Sequence, residues 1–540
     1  MTRSRRTPSC ATILGAAALL LAAPTLRGQR PSGSAAAPPL DIVEASIADV
    51  HAALEDGRVT CRQLVQDYLD RIDAYDKNGP AINAIIMVNP DALAVADSLD
   101  AVARAHAPTG PLHCIPVIVK DNYDTKGLQT TGGSLAFQGY APDRDAFVVA
   151  RLRAAGAVVL AKSNMAELAF SPYETVSSIL PGYTHNPYEL DRVTAGSSGG
   201  TAAAVAASMG TVGLGTDTGN SIRGPSSHQA LVGIRPTMGL TSRAGVVPLF
   251  LGADVTGPMA RTVADAVAVL QVIAGPDSAD PVTLASSGHI PNYASFLKAD
   301  GLRGARIGVL HQAYDTPTLD PEVQKLFDAA LDDLRRQGAT IVDPVAVPDF
   351  MTIMRIGRGT GGCNTFKRDF DSYLASLSPA PPVHDLKALI QTRKFHPSIE
   401  TRLTASEAVE DTSLDTPGCK ADTERREQLR VAVTQLLDSM HLDALVYPTW
   451  SNPPRLIGDL NTPAGDNNQI FSPTTGFPAI TVPMGYTHGG VLPAGLQFFA
   501  RKWDEKTLIR LAYSYEQGTH WRRAPTLTPP LRGTVGRARP

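Results

Sequence analysis

Residues 110–122 read GPLHCIPVIVKDN, and two small-residue turns follow: Gly196-Ser197-Ser198-Gly199-Gly200 and Gly215-Thr216-Asp217-Thr218-Gly219-Asn220-Ser221-Ile222-Arg223. The run Ile115–Val119 is short and wholly apolar, the pattern of a strand buried on both faces. Lys120 ends that run, which places an amine at the carboxyl end of a buried strand. Downstream, Phe147 to Ala155 has helical spacing that stops at Gly156, and Ala157 to Ala161 is a second apolar run. Strand, helix, strand is the signature of an α/β core. Ile307–Leu310, Thr340–Val342, Ala444–Tyr447 and Ile480–Val482 add further core strands with helical segments between them. Upstream, from about Asp41 to Ala107, the spacing is helical. One stripe is Ile47, Val50, Ala53 and Leu54, and the next is Leu64, Val65, Tyr68, Leu69 and Ile72, with Gly57 as stop and Thr60 as N-cap.

The chain has 540 residues, 43% of them hydrophobic and 19% charged, with a formal charge of −3. Nothing in that balance suits a nucleic acid or a membrane surface. Residues 1–28 differ from the rest. Arg3, Arg5 and Arg6 precede an uncharged run from Ala11 to Ala23, followed by Pro24 and Arg27, the layout of a secretory signal. The run is shorter than the roughly 20 residues a membrane-spanning helix needs. The expectation is export to the periplasm or the outside, cleavage near Gly28, and no membrane attachment afterwards. Residues 29–40 are small and Pro-rich, a linker. Residues 350–423, with Pro379, Pro381, Pro382 and Gly418, are less regular and read as a lid or substrate-facing region. Residues 526–540 form a Pro- and Arg-rich tail, which leaves 41–525 as one large domain. Cys61, Cys114, Cys363 and Cys419 allow three disulfide connectivities or free thiols, and sequence does not choose among them. Neither C-x-x-C nor H-E-x-x-H is present, so no metal or other cofactor is expected.

Glycine turns let the backbone approach a ligand closely and aim N–H groups at it, as an oxyanion site requires. A serine in such a turn is a poor nucleophile without a base. His228 follows Ser221 by seven residues and Asp217 precedes it by four. Seven residues along a helix displace His228 by about 10 Å, too far for a hydrogen bond. Lys120 is the better base, because burial disfavours its ammonium form. Two decoys fall away. Residues 156–163 (GAVVLAKS) lack the second glycine of a phosphate loop and read as a strand. Ser295-Phe296-Leu297-Lys298 has no accompanying K-T-G.

Residues 110–122, 195–200 (AGSSGG) and 215–225 (GTDTGNSIRGP) together resemble the three catalytic segments of the amidase signature family. Gly257-Pro258-Met259 with Arg261-Thr262, residues 475–483 (TGFPAITVP), residues 493–500 (PAGLQFFA) and a last helix to about Arg523 extend the likeness from about Asp41 to Pro525. The resemblance implies an α/β fold with a central mixed β-sheet covered by helices on both faces. It implies Ser221 as nucleophile, Ser197 as a bridging serine with a cis peptide bond, and Lys120 as base. Backbone N–H groups of Thr218, Gly219, Asn220 and Ser221 would hold the oxyanion, with Asp217 and Arg223 paired to brace the turn. The implied reaction is hydrolysis of a small-molecule amide through an acyl-enzyme. Three positions depart from common family glycines: Asn220, Ala195 and Cys114. Two other functions remain in view. One is that of the glutamine-hydrolysing component of a tRNA-dependent amidotransferase, which the export signal opposes because tRNA is cytoplasmic. The other is a secreted, non-catalytic binding protein, which the intact Lys120, Ser197 and Ser221 oppose.

Overall fold

The computed structural model describes residues 40–107 and 109–531. The expected signal segment, the linker up to residue 39 and the tail beyond residue 531 lie outside the described residues. Eleven strands make one sheet: β1 (Ile85–Val88), β2 (Pro116–Lys120), β3 (Val158–Ser163), β4 (Val212–Asp217), β5 (Val232–Arg235), β6 (Val255–Ala260), β7 (Arg306–Leu310), β8 (Thr340–Val345), β9 (Ala444–Pro448), β10 (Ala479–Thr487) and β11 (Leu492–Phe499). Their spatial order is β1-β3-β2-β4-β6-β5-β10-β11-β9-β7-β8. β3, β2 and β4 run parallel, as do β9, β7 and β8, and the remaining neighbours are antiparallel. Every residue of β2, β3, β4, β5, β6, β9 and β11 is buried, so layers cover both faces of the sheet there. The fold is the expected mixed α/β sheet.

All six apolar runs read as strands form strands. β1 was not expected, since it interrupts the stretch read as helical. It is a four-residue edge strand antiparallel to β3. Thr60 caps helix Cys61–Ile72 as expected, accepting from Gln63 N while the Gln63 side chain returns to the cap. The small residues 199–206 form a fully buried helix packed against β2 and β4. A Cβ on Gly199 would stand 2.0 Å from Thr175 Oγ1, and one on Gly200 would stand 2.3 Å from Asn164 O. Close approach, not flexibility, is what these two glycines provide.

Residues 350–423 are more regular than their prolines suggest. They carry helices Phe366–Ala375, Leu386–Thr392 and Glu400–Glu407. Phe366, Phe370, Leu386 and Leu403 form a separate apolar cluster with Phe137 and Phe170 of the main body. The cystines are Cys61–Cys114 and Cys363–Cys419, and the second bridges the two ends of this helical cap, 56 residues apart. Closing a loop of that size stabilises a fold by about 4 kcal/mol in the chain-entropy model, with strain reducing the realised value. The Cys363→Ser/Cys419→Ser protein is expected to melt earlier and to be nicked first within residues 355–423. Limited proteolysis with mass mapping checks this. Unchanged cleavage there would show that the apolar cluster alone holds the cap.

Candidate active site

β2 and β4 are parallel neighbours with Val119 opposite Leu214, so their carboxyl ends open at the same edge of the sheet. That edge is where open α/β sheets place ligands. Lys120 closes β2, Asp217 closes β4, and Ser197 leads into the helix Gly199–Ala206 after a cis Gly196–Ser197 peptide. Lys120 is fully buried. Its Nζ stands 2.7 Å from Ser197 Oγ and donates to Thr216 Oγ1, also at 2.7 Å. Burial lowers the amine to about 7, against the pull of Asp217 and Asp254, whose charges favour the ammonium. A neutral amine is therefore populated near neutral pH, with one N–H committed to Thr216 and its lone pair free to face Ser197.

Lys120 does not pair with its neighbour Asp121. That carboxylate turns to the other buried lysine, Lys162, at 3.4 Å, and accepts from Thr131 N at 3.0 Å and from the Thr131 hydroxyl. Burial pushes Asp121 up and Lys162 down, each partly held by the other's charge.

Ser221 is 5% exposed, in the turn between β4 and the short helix Arg223–Ser227. Among the described residues, the peptide N–H groups of Thr218, Gly219, Asn220 and Ser221 donate to no protein acceptor, as an anion-binding turn requires. Asp217 braces this turn from within. It accepts from Ile222 N at 3.1 Å and pairs with Arg223 at 3.1 Å and Arg235 at 2.7 Å, all three side chains being fully buried. Burial alone would raise the Asp217 carboxyl, but the two guanidiniums prevail and hold it at about 2. Thr218 Oγ1 donates to Asp254 at 2.5 Å. The Ser-His-Asp alternative is absent. His228 packs on Trp450, ring centroids 4.8 Å apart, and bonds neither Ser221 nor Asp217; burial lowers it to about 3. Among the described residues, no group of three or more His, Cys, Asp or Glu side chains is placed to hold a metal ion.

Sequence reasoning did not single out Thr216, Asn122 or Arg235. Asn122 Nδ2 donates to Thr216 Oγ1 at 3.0 Å, so one hydroxyl orients both Lys120 and Asn122. Only the spacing Ser221 minus five and the parallel register of β2 with β4 could have pointed to Thr216. Beside Thr216 and Thr218 lies a small cleft whose walls are both apolar, from Val246, Val247, Leu249 and Leu251, and charged, from Arg243 and Asp254.

A family model described as Amidase matches residues 63–509. A probable amidase from Arabidopsis thaliana is 35% identical over 90% of this chain and 92% of its own length. A glutamyl-tRNA(Gln) amidotransferase component from Myxococcus xanthus is 34% identical over 88% of this chain and 98% of its own. Among solved structures, a native peptide amidase from Stenotrophomonas maltophilia superposes with a TM-score of 0.81. It is 38% identical over 90% of this chain and 99% of its own.

Thr216→Val removes the acceptor for a Lys120 N–H while keeping the shape. Fluorophosphonate labelling of Ser221 is expected to slow by about tenfold to a hundredfold, the scale of a small misplacement. Its acid limb is expected to move below pH 7, because the lost acceptor favoured the ammonium more than the amine. Labelling rates across pH 5–9 (about that span suffices for one group) check both. A wild-type profile would show Thr216 to be dispensable.

Proposed function

The chain belongs to the amidase signature family, and from that membership we propose that it hydrolyses a linear carboxylic amide to an acid and ammonia or an amine, with Ser221 as nucleophile. The observation that carries the proposal is the fully buried Lys120 amine, lowered to about 7 and 2.7 Å from Ser197 Oγ. Neutral Lys120 takes the proton of Ser197, Ser197 takes that of Ser221, and Ser221 Oγ attacks the amide carbonyl. The unengaged N–H groups of the 219–221 turn hold the oxyanion. The returning proton goes to the leaving nitrogen, and water repeats the cycle on the acyl-enzyme.

The substrate side of the proposal is a small aliphatic amide, an aryl amide or a C-terminal peptide amide. The last is supported by the likeness to the Stenotrophomonas maltophilia peptide amidase. The 34% identity to a glutamyl-tRNA(Gln) amidotransferase component supports a second reading, glutamine hydrolysis within a larger assembly. We further propose that the protein is exported, which the two cystines support because they suit an oxidising compartment, and export would favour the first reading.

A fluorophosphonate is expected to add once, at Ser221, by intact mass and peptide mapping. Lys120→Ala is expected to slow that addition by about 10²–10⁴-fold, the contribution of a positioned base, and Ser197→Ala to slow it too. Ammonia release from the amide panel, with free glutamine included, then separates the two readings. Folded protein that never labels would instead favour a binding role.

A further inference from the structure

Residues 464–469 form a strap across the nucleophile turn. Ser451 N donates to Gly465 O at 2.8 Å, Trp450 Nε1 donates to Ala464 O, and Asn467 Nδ2 donates to Pro448 O at 2.8 Å. These bonds fasten the strap to the end of β9. It then meets the turn at three points. Arg223 Nη1 donates to Asn468 Oδ1 at 3.0 Å while Nη2 donates to Gly219 O at 2.6 Å. Gln469 lies against Gly219, where an added Cβ would stand 3.1 Å from its Oε1. Asn220 Nδ2 donates to Asp466 Oδ2 at 3.2 Å. Asn220 is 1% exposed and seated over Gly224, whose added Cβ would stand 3.2 Å from its Nδ2. Asp466 also accepts from Gln469 Nε2 and from Asn468 N at 3.3 Å.

We propose that the Asn220–Asp466 pair is a positioning latch that sets the direction of the N–H groups at Asn220 and Ser221, replacing the glycine common at this position. The inference rests on the amide-hydrolysis reading of Ser221. The peptide plane between Gly219 and Asn220 carries the Asn220 N–H, and Arg223 holds the carbonyl on its other side. The next plane carries the Ser221 N–H; its carbonyl, Asn220 O, accepts from Gly224 N at 2.8 Å, and its tilt follows the backbone of residue 220. Glycine there would have the widest choice of conformations. Asparagine with its amide tied to Asp466 has far less. The backbone at Asn220 is not left-handed, so the side chain is not merely tolerated at a glycine-demanding position. Asp217, Arg223 and Arg235 pair with one another beneath the turn, Asp254 accepts from Thr218 at its side, and Asp466 is the acceptor for Asn220.

The test is the second-order rate of fluorophosphonate addition at Ser221, measured at pH 8 because burial raises the Asp466 carboxyl to about 6. Asn220→Ala and Asp466→Ala are each expected to slow addition about tenfold, less than the 10²–10³ of a deleted donor. The double variant is expected to be no slower than either single one, the signature of a coupled pair. Asp466→Asn keeps an acceptor for Asn220 and is expected to recover most of the rate. On any amide that the wild type turns over, kcat falls while KM holds. Additive losses, no loss, or an Asp466→Asn rate as low as that of Asp466→Ala would overturn the latch. So would a loss that merely follows the melting temperature. If Asn220→Ala does not fold, Asn220→Gly takes its place. A wild type that never labels removes the nucleophile reading and the latch together, whereas normal wild-type labelling with unaffected variants removes the latch alone.

Discussion

An amine with no solvent around it must be neutral or be matched by a carboxylate, and the arrangement at the carboxyl ends of β2, β3 and β4 follows from that constraint. Two fully buried lysines stand on adjacent parallel strands, Lys120 on β2 and Lys162 on β3. Lys162 has Asp121 at 3.4 Å and two oxygen acceptors, Tyr123 O and Thr130 Oγ1, so its charge is matched and its role is to hold the loop after β2. Lys120 has only hydroxyls, those of Ser197 and Thr216. The same burial therefore leaves one lysine a charged strut and the other an amine lowered to about 7, the property that the proposed role of base requires. The difference is set by which way Asp121 turns.

Asp217 is the carboxylate that pulls hardest on Lys120, and its charge is already engaged. Arg223 comes from the turn itself and Arg235 from β5, and both lie fully buried against it. A carboxylate shared between two guanidiniums is held ionised, at about 2, and brings net positive charge beneath the turn. That suits an anion forming above Ser221. Arg223 continues outward to Gln497 of β11 and to Asn468, so the turn is fixed by the sheet and by the strap at once. For the proposed oxyanion, preorganisation of this kind would cost nothing at the moment of reaction, because the dipoles are fixed beforehand.

How much of this was legible in the sequence depends on what kind of signal each feature leaves. The apolar run ending in Lys120 declares a buried strand and a buried amine by itself. β4 does not, since Val212–Asp217 has glycine at two of six positions and reads as a turn. It becomes a strand because β2 and β6 flank it. The roles expected of Ser197 and Ser221 came from resemblance, not from periodicity. Thr216, Arg235 and the 464–469 strap are brought to the site by register and tertiary packing, which no local pattern encodes. The helices of 366–407 were obscured by nearby prolines, and the disulfide pairing is a property of three-dimensional proximity alone.

The three positions that depart from common glycines separate into two kinds once their backbones are known. Cys114 and Ala195 are left-handed, with φ of 62° and 54°, where a residue bearing a Cβ costs about 1–2 kcal/mol. Each has a local compensation. Cys114 is tied to Cys61, and the Ala195 carbonyl accepts from the hydroxyls of Thr175 at 2.9 Å and Thr194 at 2.8 Å. At those two sites glycine would relieve strain, and the side chain has been accommodated by its surroundings. Asn220 is the opposite case: its backbone makes no demand for glycine, and its side chain makes a bond of its own to Asp466. A change from glycine is thus a tolerated cost in the first kind and a new constraint in the second, and only the second can alter how the nucleophile turn presents its N–H groups.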